Sequence, residues 1–181
     1  MESLKQQALS FGEYPVRLPN GRRIGIPTWT IRFPKWSGTK LPRSIAGTYR
    51  NKTLVKFHER PLFGELAVLR WLKKDGWDGV WVDTFHSSGQ KKLFWKGLPD
   101  RTSPCVLPDK AEAMYNKIMA VHPKDGGFFD IFAWKGRKFL FVEYKSKGDK
   151  LNQNQYLWIR SALKSGVPAN SLLLVEFVKR A

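Results

Sequence analysis

The sequence has 181 residues, 42% of them hydrophobic with 12 Phe and 8 Trp, enough to bury one core and to exclude disorder for most of the chain. Its 32 Lys and Arg against 15 Asp and Glu give a net charge of +17, an excess that opposes compaction unless a polyanion is near, so nucleic acid is the expected partner, ahead of an acidic membrane. A single cysteine, Cys105, excludes an internal disulfide and a cysteine-built zinc site, and fits a reducing compartment.

The opening stretch MESLKQQALSFGEY has neither the basic nor the apolar region of a signal peptide. No window reaches the ~18 consecutive apolar residues of a membrane span, so a soluble, cytoplasmic protein is expected. Residues 1–60 hold 12 basic and 3 acidic side chains, net +9, half of the excess on a third of the chain. They read as a basic, hairpin-containing N-terminal extension packed on a core that occupies 61–181. Two alternating runs from Val16 to Ile26 flank Asn20-Gly21 and predict a β-hairpin with a type I′ turn, because Asn and Gly tolerate positive φ. Trp29, Ile31, Phe33 and Trp36 then interleave with Arg32 and Lys35, followed by Lys40, Arg43, Arg50, Lys52 and Lys56. Aromatics among cations can stack on bases while the cations contact phosphates. Packing of the same aromatics onto the main core explains the pattern equally well. Arg17, Arg22, Arg23 and Arg32 are the phosphate-contact candidates of this segment.

At Pro61 the pattern changes. Pro61 suits a first helical position, and Leu62, Leu66, Leu69 and Leu72 follow at helical spacing until Asp75-Gly76, which predicts a helix over 61–75. Residues 78–85 read as a strand, 86–108 as a loop and 109–120 as a second helix. Phe128 to Trp134 and Lys138 to Ser146 read as strands around Lys135-Gly136-Arg137. An amphipathic helix over 152–165 ends at Gly166, and 171–178 (SLLLVEFV) is a buried strand. The order α, β, α, β, β, α, β indicates an α/β domain with a mixed sheet.

Strand parity places Phe139, Phe141, Glu143 and Lys145 on one face. With a two-residue turn at Gly136-Arg137, Lys135 opposes Lys138 and Asp130 opposes Glu143; with one at Lys135-Gly136, the two carboxylates are diagonal. Either register leaves them roughly 5–8 Å apart, close enough to share a divalent cation. A three-residue loop would reverse the parity. Two carboxylates this close repel unless a cation compensates, and hard oxygen ligands favour Mg²⁺ held by one or two carboxylates, waters and phosphate. Lys145 would stand beside such a metal, where an ammonium orients water or stabilises phosphorane charge. The strand pattern by itself fits a plain Glu143–Lys145 ion pair with a solvated Asp130 as well.

Asp130, twelve residues, then Glu143-Tyr144-Lys145 resembles the D-(x)n-[DE]-x-K signature of the PD-(D/E)xK nuclease superfamily. The following Gly148-Asp149-Lys150-Leu151-Asn152-Gln153-Asn154-Gln155-Tyr156-Leu157-Trp158 is similar to the stretch G-D-x-L-[SN]-x-x-Q-x-x-W of its VRR-NUC branch. Phe129 stands where the motif has proline. The resemblance covers about residues 61–178 and implies a restriction-endonuclease-like core: a central mixed sheet flanked by helices. It further implies Asp130, Glu143 and the Tyr144 carbonyl on a Mg²⁺ or Mn²⁺ ion, with Lys145 next to the scissile phosphate. The helix before the core sheet commonly supplies another glutamate, here Glu65, although an acid near a helix N-terminus is also favoured by the macrodipole. Gln155 lies near the active site in the family. From its own sequence it is also the N3 partner of an Asn152 capping box. On the core, Lys147 and Lys150 are nucleic-acid-binding candidates.

His58, His86 and His122 lack metal-binding spacing, and Cys105 has no basic partner nearby in sequence. Asp83 and Asp125 could add acidic character but receive no role, and Asp125-Gly126-Gly127 reads as a turn. The expected function is a metal-dependent nuclease, a DNA endonuclease first, with a non-catalytic nucleic-acid-binding module on the same fold as the alternative. A homodimer is implied by the resemblance alone.

Overall fold

Seven strands form one mixed sheet in the structure, a computed structural model that describes residues 4–38, 52, 54–83, 94–96, 105–123 and 126–178. In chain order the elements are β1 (Ala8–Arg17), β2 (Arg23–Arg32), β3 (Leu54–Phe57), β4 (Arg60–Phe63), α1 (Gly64–Lys74), β5 (Asp78–Val82) and β6 (Phe94–Trp95). They continue with α2 (Asp109–Met119), β7 (Ile131–Lys135), β8 (Lys138–Ser146), α3 (Gln153–Lys164) and β9 (Leu172–Val178). The sheet runs β1-β2-β9-β8-β7-β5-β6, while β3 and β4 form a separate pair. β8 and β9 are parallel, joined by α3 as the crossover, and β2 adds parallel to β9; the remaining pairs are antiparallel. This is the mixed α/β sheet flanked by helices that the sequence predicts, with the N-terminal hairpin contributing two strands to it.

Strand alternation divides the core between the two faces. On one, α1 lays Leu66, Ala67, Leu69 and Leu72 against Trp81, Ile131, Ala133, Val142 and Val175. On the other, α2 and α3 bring Ala111, Ile118, Trp158, Ile159 and Ala162 against Val80, Phe132, Phe141 and Leu174. Phe141 stacks on Phe132 with ring centroids 4.6 Å apart, so β7 and β8 are pinned by their side chains as well as by their backbones.

Three local expectations are corrected. The β1–β2 turn is not type I′: Gly21 N–H donates to the Leu18 carbonyl, so Pro19 and Asn20 are its central residues and Gly21, at φ +83°, follows in the left-handed region. Proline's fixed φ near −65° forbids the positive φ that a type I′ turn needs at that position. The helix after Pro61 starts at Gly64, because Pro61, Leu62 and Phe63 pair with Lys56, Val55 and Leu54. An edge strand tolerates a proline that donates nothing. Within the span read as a loop over 86–108, Phe94 and Trp95 pair with Val82 and Trp81. Lys40, Arg43, Arg50, Thr84, Phe85, His86 and Asp125 lie outside the described residues.

Phe33 and Trp29 of the N-terminal third serve packing. Phe33 is buried and stacks on Trp71 of α1 at 4.6 Å, and Trp29 lies against the same core. The hairpin is also tied to α3: the Tyr14 and Tyr156 hydroxyls share a hydrogen bond of 2.8 Å, and Arg160 donates to the Arg17 carbonyl at 3.1 Å.

Candidate active site

At one end of the sheet, the start of β7 meets the end of β8 and the end of β5. Lys135 pairs with Lys138 and Ile131 with Val142, so the register runs on to set Asp130 opposite Glu143. The two-residue turn at Gly136-Arg137 is therefore the one formed, with Gly136 at φ +60°. The Tyr144 N–H donates to Asp130 Oδ2 at 2.9 Å and holds that carboxylate to the β8 backbone. Glu143 is buried, and its Oε1 takes Lys145 Nζ at 3.3 Å as well as a hydrogen bond from Gln155 Nε2.

Gln155 reaches Glu143 because α3 starts there. Asn152 caps the helix, its Oδ1 accepting from the Gln155 N–H at 2.9 Å, and the Gln155 side-chain oxygen accepts from the Asn152 N–H at 3.0 Å. The amide thus spends its oxygen on the cap and its nitrogen on Glu143, so both sequence readings of this residue hold together. Gly127, at φ +80°, closes the approach from the other side. A Cβ there would fall 2.3 Å from the Asn154 carbonyl oxygen, so only glycine lets the chain entering Asp130 lie this close to the first turn of α3.

Glu65, in the first turn of α1, is buried and forms an ion pair with Lys52. Its helix is anchored by Gly64, where a Cβ would land 2.0 Å from Cζ of the Tyr144 ring. Tyr144 in turn stacks on Phe177 with ring centroids 5.2 Å apart. Two helix N-termini, those of α1 and α3, therefore meet the sheet end that carries Asp130 and Glu143, and their partial positive charge favours anions there.

The carboxylates are only partly compensated. Burial first, then the nearby Glu65, raises the Asp130 carboxyl to about 7, against the opposing pull of Lys52, the Tyr144 N–H and Lys145. Burial and then Asp130 push Glu143 well above the usual carboxylate range, with Lys145 and Gln155 working the other way. A buried and a half-buried carboxylate that repel each other suit a hard divalent cation. Among the described residues no three His, Cys, Asp or Glu side chains converge closely enough to ligate an ion by themselves. The donor set that fits is two carboxylates, a backbone carbonyl and water, a usual Mg²⁺ arrangement.

The basic candidates separate. Arg32, Lys147 and Lys150 are exposed, and all three lie toward the end of the sheet that carries Glu143: Arg32 closes β2 opposite Val178, and Lys147 and Lys150 follow β8. Arg17, Arg22 and Arg23 are also exposed but sit at the opposite end of the sheet, around the β1–β2 turn. Arg23 and Arg32 stand at the two ends of β2, nine residue steps and roughly 30 Å apart. The structure does not bring these four arginines together.

Lys52 and Asp83 are the site residues that the sequence reading left without a role. Asp83 follows the buried strand β5 and is itself buried. An acid closing an apolar strand was a usable signal. Lys52 had none, since nothing in the local pattern distinguishes it from its basic neighbours. His122 is a structural cap, its ring nitrogens meeting Ser161 Oγ at 3.1 Å and the Gly126 carbonyl at 2.9 Å. The Cys105 thiol meets the carbonyl of its neighbour Val106, 3.5 Å from Sγ.

A seven-stranded mixed sheet flanked by helices, with an aspartate at the start of one hairpin strand and Glu-x-Lys at the end of the next, is a restriction-endonuclease-like fold. Residues 94–173 match the VRR-NUC domain, so this part of the chain is similar to the VRR-NUC nucleases. It is also similar to the Fanconi-associated nuclease 1 homolog of Caenorhabditis elegans, 27% identical over 151 residues. That similarity covers 74% of this chain and 17% of the relative, so the chain spans a small part of the relative's length. Glu65 and Lys52 lie before the matched domain, and their place in the site rests on geometry.

Proposed function

We propose that the chain is a Mg²⁺-dependent phosphodiesterase that cuts DNA internally, and that Asp130, Glu143 and Lys145 carry the reaction. One observation supports this above the others: Glu143 is buried with Lys145 at 3.3 Å and Gln155 donating to the same oxygen, opposite an Asp130 fixed by the Tyr144 N–H. A bare structural ion pair needs neither the opposed aspartate nor the glutamine. The net charge of +17 and the two helix N-termini suit a polyanionic substrate.

Asp130 Oδ1 and Glu143 Oε2, the oxygens not engaged by Tyr144, Lys145 or Gln155, would hold the metal together with the Tyr144 carbonyl. Glu65 would reach it through water. The metal, when bound, supplies charge to the scissile phosphate and lowers the pKa of a bound water. The protein does the rest. Gln155 fixes the rotamer of Glu143, and the Tyr144 N–H fixes that of Asp130, so the two carboxylates are preorganised on a rigid strand pair. Lys145, with 15% of its side chain exposed, offers an ammonium to the non-bridging oxygens as charge builds in the transition state. Arg32, Lys147 and Lys150 would contact flanking phosphates. Cutting both strands of a duplex would engage two copies of the chain, which an equilibrium sedimentation run with and without DNA would reveal.

The test is nicking of supercoiled plasmid. Cleavage is expected with Mg²⁺ or Mn²⁺, none in EDTA, and none from a folded Glu143→Gln protein that still binds DNA. DNA binding without cleavage under any divalent metal would favour a non-catalytic module on the same fold.

A further inference from the structure

A second cation at the acidic end of the sheet, besides Lys145, comes from outside the matched nuclease domain. Lys52 pairs with the buried Glu65, and its ammonium stands 5.2 Å from the Trp81 ring centroid and 5.7 Å from that of Phe63. Those two aromatics are fully buried. Asp130 and Asp83 are near enough that both favour its positive charge, in addition to Glu65. A lysine that is 40% exposed along its side chain has water available, yet its charged end is turned inward to a carboxylate that is 7% exposed. Such a pair forms where a buried acid needs a counter-charge.

We infer that Lys52 is a positioning residue of the candidate active site: its ammonium holds Glu65 in the metal-free protein and competes electrostatically with a divalent cation bound beside that carboxylate. This rests on the metal-dependent reading above. The physical reason is that two cations near one carboxylate repel each other, so an ammonium held at Glu65 weakens the binding of a divalent cation beside it. Lys52 therefore holds the Glu65 carboxylate in place while the site awaits metal, and it sets how tightly the metal is held. The two effects have opposite signs. Removing the ammonium leaves Glu65 buried without its partner, which lowers stability in the metal-free protein, and it removes a competitor, which raises metal affinity. A purely structural ion pair has the first effect and not the second.

The experiment is calorimetric titration of Mn²⁺ into the full chain, without DNA, for wild type, Lys52→Met, Lys52→Gln and Lys52→Arg, with melting curves in EDTA. Lys52→Gln keeps a hydrogen-bond donor for Glu65 and serves if Lys52→Met does not fold. The neutral variants are expected to melt lower in EDTA yet bind Mn²⁺ roughly fivefold tighter, the scale of a half-exposed ion pair removed from the competing state. Lys52→Arg should return both values to those of wild type. Unchanged or weaker Mn²⁺ binding in the neutral variants, with wild type binding normally, overturns the role of Lys52 and leaves the metal site standing. No Mn²⁺ binding by any of the proteins overturns both.

Discussion

The two clusters of exposed cations should contribute very unequally to DNA binding. Arg32, Lys147 and Lys150 lie toward the sheet end that carries Asp130 and Glu143, whereas Arg17, Arg22 and Arg23 lie roughly 30 Å away along β2, a distance that equals about nine base-pair steps of duplex. A duplex of about 12 base pairs centred over the site reaches about 20 Å to either side and so cannot cover the distant turn. Every phosphate that a side chain ceases to neutralise reduces the slope of log K against log salt by ~0.9. The triple variant Arg32→Gln, Lys147→Gln, Lys150→Gln should thus flatten the slope by about 2.7, and the triple variant Arg17→Gln, Arg22→Gln, Arg23→Gln by close to nothing. Between 50 and 200 mM salt the first difference corresponds to roughly fortyfold in how far affinity falls. Fluorescence anisotropy of a short labelled duplex, in a Glu143→Gln background that prevents cutting, measures both slopes. Equal flattening by the two triples, or a larger effect of the hairpin triple, would show that DNA does not lie across this end of the sheet.

Three further outcomes follow from the geometry. In EDTA the folded protein holds the Asp130 proton up to about 7, far above the ordinary 3.8 of the unfolded chain, so raising the pH between those values favours the unfolded state. The melting temperature without metal should fall from pH 5 to pH 8, a divalent cation should reverse much of the fall, and Asp130→Asn should lessen it; a flat or rising wild-type profile would contradict the assignment. Gln155→Ala should cost about 1–3 kcal/mol, because it removes the reciprocal cap bond and strips the buried Glu143 of a donor. Gln155→Glu keeps the capping box but sets a carboxylate against Glu143, so denaturant melts and nicking rates should show activity falling more than stability. Gly64→Ala would put a methyl 2.0 Å from the Tyr144 ring, and the variant should be less stable by about 1–3 kcal/mol as the ring is forced from its place; wild-type stability would refute the close approach.

The parts of the fold that were legible in sequence are those in which a local pattern and the tertiary outcome agree. Asn152 and Gln155 spelled out a capping box that the structure forms bond for bond, and the glycine-containing turn at 135–137 allowed a register that aligned Asp130 with Glu143. Local chemistry failed where another force prevailed. Pro61 is a good helix-starting residue, but pairing of Leu62 with Val55 held it in a strand. Asn20-Gly21 is a good type I′ pair, but Pro19 had already fixed the turn. The mixture of aromatics and cations from Trp29 to Trp36 left two readings open, and the stacking of Phe33 on Trp71 resolves it toward packing. Lys52 and Glu65 are 13 residues apart with no shared periodicity, so their pairing became visible only once α1 was placed against the sheet.

The account depends most on Lys145, because its position beside Glu143 is where a nuclease site and a structural ion pair look alike. Plasmid nicking and thermal melting of Lys145→Ala, measured side by side with wild type at saturating Mg²⁺, separate the two. The nuclease reading predicts a folded protein that nicks roughly a hundredfold or more slowly, since a preorganised cation is missing from the transition state. A folded Lys145→Ala protein that nicks at the wild-type rate would contradict it.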